Sequence, residues 1–238
     1  MRTIATPAGT VRVLSREEAF AELVRRMDAR AGAGRFTVGL SGGSTPKAFY
    51  AWAASGRRLA RAVLEHAEWH VSDERCVPLA SDESNFGHAA RGLLDPLLVP
   101  AGRRRPWPVH LAPEAAAAAY ASGRAPGEGF DVCVLGLGDD SHIASLWPGC
   151  PLIGSDGGSA FAATEWPGRG WRLTVTPSGL ARCGEIMVLV NGAAKAEALR
   201  RVCFGEPDAS RFPGQILRTL RAKVTWLADS EAASGLPG

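Results

Sequence analysis

Length, composition and charge exclude several classes of protein. The chain has 238 residues, of which 46% are hydrophobic and 21% are charged, and its net charge is +3. These values are typical of a globular protein with one sizeable core, and the charge is too small to indicate a nucleic-acid partner. No apolar segment is long enough for a membrane span or a secretory signal. We expect a single domain over residues 1–238, in the cytoplasm, with no membrane or nucleic-acid partner.

The cysteine and histidine patterns predict neither a metal nor a cofactor. The five cysteines are widely separated and include no C-x-x-C pair, which is typical of a reducing compartment. His66 and His70 have the i, i+4 spacing of a zinc-binding helix. However, this segment passes from a predicted helix into a predicted strand, which would separate the two rings.

Helices and strands alternate along the sequence. The first helix begins at a capping box, Ser15 to Glu18, and a glycine-rich turn leads into the second, with Thr45 as N-cap and Pro46 at the first helical position. Later helices are predicted at 85–94, 115–119 and 193–202, and strands at 36–40, 69–72, 130–135, 172–176, 186–190 and 224–227. This alternation predicts an α/β fold with a doubly wound, mostly parallel, Rossmann-like sheet and helices on both faces. Residues from about 230 to 238 are expected to form a frayed tail.

The strongest functional signal lies between residues 130 and 148. The apolar run Val132–Leu135 indicates a strand buried on both faces, and it ends in a glycine-containing turn with Asp139, Asp140 and His142. In open α/β sheets, ligands bind just beyond the carboxyl ends of such strands. Two carboxylates and a histidine at this position indicate an active site.

Three further features follow predicted strand ends. The first is the turn formed by Ser41, Gly42, Gly43, Ser44 and Thr45. Such a turn lets backbone N–H groups and hydroxyls approach an anion at a helix N-terminus. In the charged turn 73–75, Asp73 offers a carboxylate for proton transfer and Arg75 a guanidinium for phosphate. Lys195 lies in a first helical turn, where a cation opposes the helix dipole unless an anion compensates it. Together these features predict a site for a small phosphorylated molecule.

Several segments in the same order resemble those of the 6-phosphogluconolactonases, within the wider group that includes glucosamine-6-phosphate deaminases. They are VGLSGGSTPKAFY (38–50), WHVSDERCVPLASDESNF (69–86), LGLGDDSHIASLWPG (135–149), RLTVTPSGL (172–180), VNGAAKAEAL (190–199) and VTWLAD (224–229). The resemblance covers nearly the whole chain. It implies hydrolysis of 6-phospho-D-glucono-1,5-lactone to 6-phosphogluconate, in the oxidative pentose phosphate pathway.

The resemblance also implies roles for particular residues. The family's active-site histidine corresponds to His142, and the aspartate of its D-E-R motif corresponds to Asp73. Its phosphate-binding cations correspond to Arg75 and Lys195, and Arg172 matches a family arginine near the substrate. The implied partner is a small phosphorylated sugar lactone, and we expect a monomer or weak homodimer.

The implied chemistry needs neither a metal nor a covalent nucleophile, because a lactone is an activated ester. We expect His142 to accept a proton from water that attacks C1 and to return it to the leaving ring oxygen. Asp140 or Asp73 would orient the imidazole or the substrate hydroxyls. A glycine turn would stabilise the oxyanion, and the sequence leaves open which turn does so.

One position departs from the family pattern. The family usually has D-G-H-T-A-S, whereas this chain has Asp140-Ser141-His142-Ile143-Ala144-Ser145. If this position needs a positive φ, Ser141 would be strained by about 1 kcal/mol or more. Ile143 resembles the deaminase branch, so a glucosamine-6-phosphate deaminase with Asp73 as base is an alternative. Two further alternatives remain. One is a sugar-phosphate-binding protein whose catalytic histidine is disabled by Ser141, and the other is a hydrolase of a related phosphosugar lactone.

Overall fold

The computed structural model describes residues 2–124, 128–154 and 158–237. The strands are β1 (Arg2–Thr6), β2 (Gly9–Val13), β3 (Phe36–Leu40), β4 (Ala67–Val71), β5 (Asp73–Arg75), β6 (Val132–Gly136), β7 (Phe161–Trp166), β8 (Gly170–Val175), β9 (Glu185–Val190) and β10 (Val224–Ala228). The α-helices are α1 (Arg16–Ala31), α2 (Ser44–Ser55), α3 (Arg61–His66), α4 (Asn85–Ala89), α5 (Pro113–Ser122), α6 (Pro177–Ala181) and α7 (Ala196–Phe204). A π-helical turn (Ala90–Leu94) continues α4, and 3₁₀ segments cover Ala101–Arg103, Ala193–Lys195 and Pro213–Lys223.

Seven strands form the main sheet, in the order β1-β2-β10-β9-β6-β3-β4. Only β1 and β2 pair antiparallel within it; the other neighbours are parallel. The central strands β6 and β9 are almost entirely buried and apolar, as expected for parallel strands covered on both faces. The mostly parallel α/β fold predicted from the sequence is confirmed. A second, antiparallel sheet has the order β5-β8-β7.

The connectivity of the main sheet reverses between β3 and β6. From β3 the chain moves outward to β4, then returns to β6 on the other side of β3 and continues to β9 and β10. The turns after β3 and β6 therefore diverge from one point at the carboxyl edge of the sheet. Open α/β sheets bind ligands in the crevice at such a point, and these two turns contain residues 41–43 and 137–142.

Two local predictions next to this crevice are wrong. Asp73–Arg75 is not a free charged turn, because it pairs with β8 as strand β5. Thr45 is not a helix cap, because α2 already begins at Ser44 and its N-cap is Gly43. The φ of 96° at Gly43 turns the chain sharply out of β3, so the helix starts without a side-chain cap.

The described part of the carboxyl-terminal segment, residues 230–237, is packed and not frayed, contrary to the prediction, and Gly238 lies outside the described residues. Ala232, Ala233 and Leu236 are buried. The Asp229 carboxylate accepts hydrogen bonds from the N–H groups of Ala232 (2.8 Å) and Gly192 (2.9 Å). This carboxylate therefore ties the segment to the turn after β9, and apolar burial holds it there.

His66 and His70 are separated, as predicted. His66 ends α3 and His70 lies in β4, where its Nδ1 is 2.6 Å from the hydroxyl oxygen of Tyr120. Within residues 2–124, 128–154 and 158–237, no three His, Cys, Asp or Glu side chains are grouped to hold a metal. In the same ranges, none of the helices combines the length and the apolar character that a membrane crossing requires.

Glu22 connects α1 to the main sheet through a buried ion-pair network. Its side chain is 7% exposed and contacts Arg12 of β2 at 2.5 Å, Arg25 at 2.7 Å and Arg26 at 2.9 Å. Hydrogen bonds from these arginines, Arg25 first, lower the pKa of Glu22 to about 2. Because the lowered pKa reflects favourable interactions of the ionised carboxylate, Glu22→Gln, which removes that charge, is expected to lower the free energy of unfolding at pH 7 by up to about 3 kcal/mol.

The pH dependence checks the Glu22 prediction independently. Because the pKa of Glu22 is lower in the folded state than in the unfolded state, its stabilisation is complete above pH 4.5 and is lost as the pH falls toward about 2. Urea unfolding at pH 7 and pH 3 should therefore show a smaller pH effect in Glu22→Gln than in the wild type. The control is Glu65→Gln, which removes an exposed pair with Arg61 and should change stability by less than about 0.5 kcal/mol. Equal effects of the two variants would contradict the prediction.

Candidate active site

A cleft of about 240 Å³ lies at the carboxyl edge of the main sheet. The predicted site residues that line it are Ser41, Gly42, Gly43, Ser44, Thr45, Asp73, Arg75, His142, Arg172 and Lys195. The remaining predicted residue, Asp140, is outside the lining and contacts His142 instead. The structure thus brings together site residues that are far apart in the sequence.

Asp140 orients the imidazole of His142. Its Oδ1 lies 2.6 Å from His142 Nδ1 and accepts a hydrogen bond from the His142 backbone N–H at 3.1 Å. The side-chain bond to His142 lowers the pKa of Asp140 to about 2, so this carboxylate is ionised at neutral pH. An ionised carboxylate can only accept, so Nδ1 carries the hydrogen, and in the neutral imidazole Nε2 keeps its lone pair. This is the arrangement that a general base requires.

Gly138 makes room for this pair. A β-carbon at Gly138 would lie 1.9 Å from His142 Nδ1 and 2.6 Å from Asp140 Oδ1, so no larger residue fits. The Gly138 N–H donates to the carbonyl of His142 at 2.9 Å, and the Ser141 N–H donates to the carbonyl of Gly138 at 2.9 Å. The turn after β6 is thus a closed, hydrogen-bonded loop that fixes the histidine.

Ser141 has a positive φ, the conformation in which its departure from the family pattern was expected to cause strain. Its φ is 68°, its side chain is buried, and its hydroxyl has no hydrogen-bond partner among the described residues. Strain and an unsatisfied hydroxyl together cost more than the chain entropy that glycine adds to the unfolded state. Ser141→Gly is therefore expected to raise the free energy of unfolding by about 1 kcal/mol, measured by urea denaturation.

Two other variants separate the causes of this effect. Ser141→Ala removes the hydroxyl and keeps the strain. Ala144→Gly relieves a second positive φ, 47°, where no hydroxyl is present. A Ser141→Gly protein no more stable than the wild type would show that the positive φ carries no net cost here.

Asp73 is held at the cleft by the hydroxyl group of Ser145. It is 6% exposed. Its Oδ2 accepts a hydrogen bond from the Ser145 hydroxyl at 2.8 Å, and the Ser145 N–H donates to Thr174 Oγ1 of β8 at 3.1 Å. Glu74, the residue after Asp73, points to the opposite face of β5, as strand alternation requires.

The Glu74 carboxylate secures β5 to α4 behind the cleft. It accepts hydrogen bonds from the backbone N–H groups of Arg75, Asn85 and Phe86 and from the Ser84 hydroxyl, at 2.7–2.9 Å. Burial raises its pKa, and these hydrogen bonds oppose that shift. Within this charged triplet, Asp73 and Arg75 therefore line the cleft, and Glu74 holds β5 against α4 behind it.

Two arginines lie directly opposite each other in the second sheet. Arg75 of β5 and Arg172 of β8 are register partners, and both line the cleft. Burial and the nearby Arg75 guanidinium lower the pKa of Arg172. Neither arginine forms an ion pair with a carboxylate in the described part of the chain. Like charges in such a position are destabilising unless an anion lies between them, so this pair is suited to a phosphate.

The other predicted anion-binding groups are at the same cleft. The first turn of α2 contains no acidic residue and its N-cap is a glycine, so its N–H groups are available to an anion. Lys195 ends the 3₁₀ turn before α7, and its Nζ lies 2.6 Å from Asp139 Oδ1. Asp139 is largely exposed, and an exposed pair of this kind contributes little.

The cleft lining also contains residues that were not predicted as site residues, among them Asn85, Ser145, Trp166 and Arg169. Trp166 contacts the His142 ring edge to face, with centroids 5.2 Å apart, and stacks on Trp147 at 5.0 Å. Ser145 lies three residues after His142, and Asn85 lies in the family-like segment 69–86. Trp166 and Arg169 come from the tip of the β7–β8 hairpin, whose sequence carries no signal for a site.

Fold and cleft together define an α/β protein with a histidine–carboxylate pair and unpaired arginines at the switch point of its main sheet. Residues 14–226 match the family model described as glucosamine-6-phosphate isomerases/6-phosphogluconolactonase, and the chain belongs to that family.

Individual comparisons agree with this assignment. The chain is 33% identical over 216 residues to a protein of Synechocystis named 6-phosphogluconolactonase, covering 85% of each. Its fold is similar to that of 6-phosphogluconolactonase from Trypanosoma brucei, with a TM-score of 0.80 and 25% identity over 96% of this chain and 99% of that one. A monomeric glucosamine-6-phosphate deaminase has a TM-score of 0.78 at 20% identity, over 94% of this chain and 99% of that one, and shares the fold.

Proposed function

We propose that this protein is an enzyme that hydrolyses 6-phospho-D-glucono-1,5-lactone to 6-phosphogluconate, in the oxidative pentose phosphate pathway. The observation that carries the proposal is the pairing of His142 Nδ1 with an ionised Asp140 in a cleft that also contains Arg75 and Arg172. The name of the Synechocystis relative supports the same reaction. A relative with the deaminase activity shares only the fold at 20% identity, so the deaminase alternative is not favoured.

The proposed mechanism uses His142 as a base and then as an acid. His142 Nε2 takes a proton from water while the water oxygen attacks C1, and the carbonyl electron pair moves onto oxygen. When the C=O bond re-forms, the bond from C1 to the ring oxygen breaks, and the imidazolium returns its proton to that oxygen. Asp140 stabilises the imidazolium during these steps. Asp73, which points into the cleft, would bind substrate hydroxyls.

The phosphate group would bind at the opposite end of the substrate from the reacting carbon. Arg75, Arg172 and Lys195 supply positive charge, and the turn 41–45 supplies N–H groups at the start of α2. Binding energy from the phosphate would then position C1 next to the histidine. The single domain, the cytoplasmic location, the monomer or weak homodimer and the absence of a nucleic-acid partner stay predictions.

The test of this proposal is a comparison of catalysed with spontaneous hydrolysis. The lactone is generated from glucose 6-phosphate by its dehydrogenase, and the appearance of 6-phosphogluconate is followed with and without the protein. Ammonia release from glucosamine 6-phosphate is measured in parallel. We expect acceleration of lactone hydrolysis and no ammonia. Ammonia release without lactone hydrolysis would replace the proposal by the deaminase, and binding without either reaction would indicate a sugar-phosphate-binding protein.

A further inference from the structure

The tip of the β7–β8 hairpin is a rigid turn that presents an arginine to the cleft. The Arg169 N–H donates to the carbonyl of Trp166 at 2.9 Å, with Pro167 and Gly168 between them and a φ of 72° at Gly168. Proline followed by a glycine with positive φ is the pattern of a type II turn. Antiparallel pairing of Trp166 with Gly170 anchors this turn at its base. The backbone position of Arg169 is therefore fixed by the local sequence.

An aromatic contact orients the exposed side chain of Arg169. Its guanidinium carbon lies 4.7 Å from the centroid of the Trp166 ring, which stacks on Trp147 on one side and contacts the His142 ring on another. A cation held against an indole ring in this way loses little freedom when it binds an anion. The guanidinium and the imidazole therefore contact the same indole ring.

Arg169 is also free to accept a negative charge. It lines the cleft, and within residues 2–124, 128–154 and 158–237 it forms no ion pair with a carboxylate. The two acidic groups in the same turn as the histidine are already engaged, because Asp140 binds His142 and Asp139 binds Lys195. An unpaired cation held at the cleft by an aromatic ring is suited to the negative charge that develops on the C1 oxygen when water attacks.

We propose that Arg169 is a catalytic residue that binds the C1 oxyanion and then the C1 carboxylate of the product. This inference rests on the proposed function, because lactone hydrolysis converts a neutral carbonyl into an oxyanion and finally a carboxylate. Water attack moves the carbonyl electron pair onto the oxygen that faces Arg169. Collapse of the intermediate expels the ring oxygen, which is protonated by His142, and the new carboxylic acid releases its proton to solvent. Arg169 transfers no proton and serves as a fixed positive charge throughout.

The test compares two ligands that differ at C1. The product 6-phosphogluconate has a carboxylate there, and glucitol 6-phosphate has a neutral hydroxymethyl group. In calorimetric titrations, Arg169→Gln should weaken binding of 6-phosphogluconate by about tenfold or more and change binding of glucitol 6-phosphate by less than about twofold. It should also lower kcat by about 10²-fold with a small change in KM. Arg169→Lys, which keeps the charge without the planar fork, should fall between Gln and wild type.

The matched control is Arg58→Gln. Arg58 also lies over an indole, that of Trp52, at 4.4 Å from the ring centroid, but it follows the far end of α2 and does not line the cleft. The Arg58→Gln protein should bind both ligands with the affinity of the wild type. Equal weakening of both ligands in Arg169→Gln would overturn the proposal, because Arg169 would then bind phosphate. Unchanged binding of both would overturn it too. Failure of the wild type to bind either ligand would instead contradict the proposed function.

Discussion

Replacing His142 by alanine is expected to lower kcat/KM for lactone hydrolysis by about 10³-fold. In the proposed mechanism the imidazole takes the proton from water through Nε2, because Asp140 holds Nδ1. No other side chain in the described cleft lining combines a free basic nitrogen with such a carboxylate partner. The measurement is the initial rate of 6-phosphogluconate formation above the spontaneous rate. The variant leaves unchanged the arginines that we propose bind phosphate, so the Kd of inorganic phosphate should stay within about twofold of the wild-type value.

Asp140→Asn tests the cause of the histidine's activity. An asparagine side chain can donate to Nδ1, which favours the tautomer with hydrogen on Nε2 and removes the base. We expect a loss of kcat of about 10²- to 10⁴-fold with a nearly normal fold. A rate in His142→Ala close to that of the wild type would exclude the mechanism while leaving the activity in place. A normal rate in Asp140→Asn would show that the carboxylate is not needed to select the tautomer.

The central fold could be predicted because its strands carry a simple pattern. Strands β3, β6 and β9 are short apolar runs followed by turns. This pattern is typical of parallel strands that are buried on both faces. Strands β1, β2 and β7 were not predicted, because they mix polar and apolar residues and are partly exposed. Strand β5 was misread as a turn because three charged or polar residues form a strand only when a partner such as β8 is present.

The sequence predicted which residues form the site, but it did not predict which of them contact one another. Residues after strand ends are expected to converge at one edge of a parallel sheet, and nearly all the predicted residues do line the cleft. The sequence could not decide between Asp73 and Asp140 as the partner of His142, because that depends on the shape of the turn after β6. The closed turn over Gly138 gives this role to Asp140. Asp73 pairs with Ser145, whose contact depends on a second sheet that the sequence did not reveal.

Removing either arginine of the Arg75–Arg172 pair is expected to have opposite effects on activity and on stability. Arg75→Met and Arg172→Met keep most of the aliphatic stem and remove the charge. Loss of one guanidinium from a desolvated phosphate site should lower kcat/KM by about 10²-fold. Without ligand, the remaining arginine no longer faces a like charge across the strand pair, so the free energy of unfolding should rise by up to about 0.5 kcal/mol.

Inorganic phosphate links the two effects in one measurement. It should raise the Tm of the wild type, since a ligand that binds only the folded state stabilises it, and it should have much less effect on either arginine variant. Arg182→Met is the control, because Arg182 is an exposed arginine that does not line the cleft, and it should retain both the activity and the phosphate response. A variant that is less stable without ligand, yet as responsive to phosphate as the wild type, would assign the pair a structural role. The expected opposite signs would show that the facing charges are maintained for the ligand, because the unliganded fold is more stable without them.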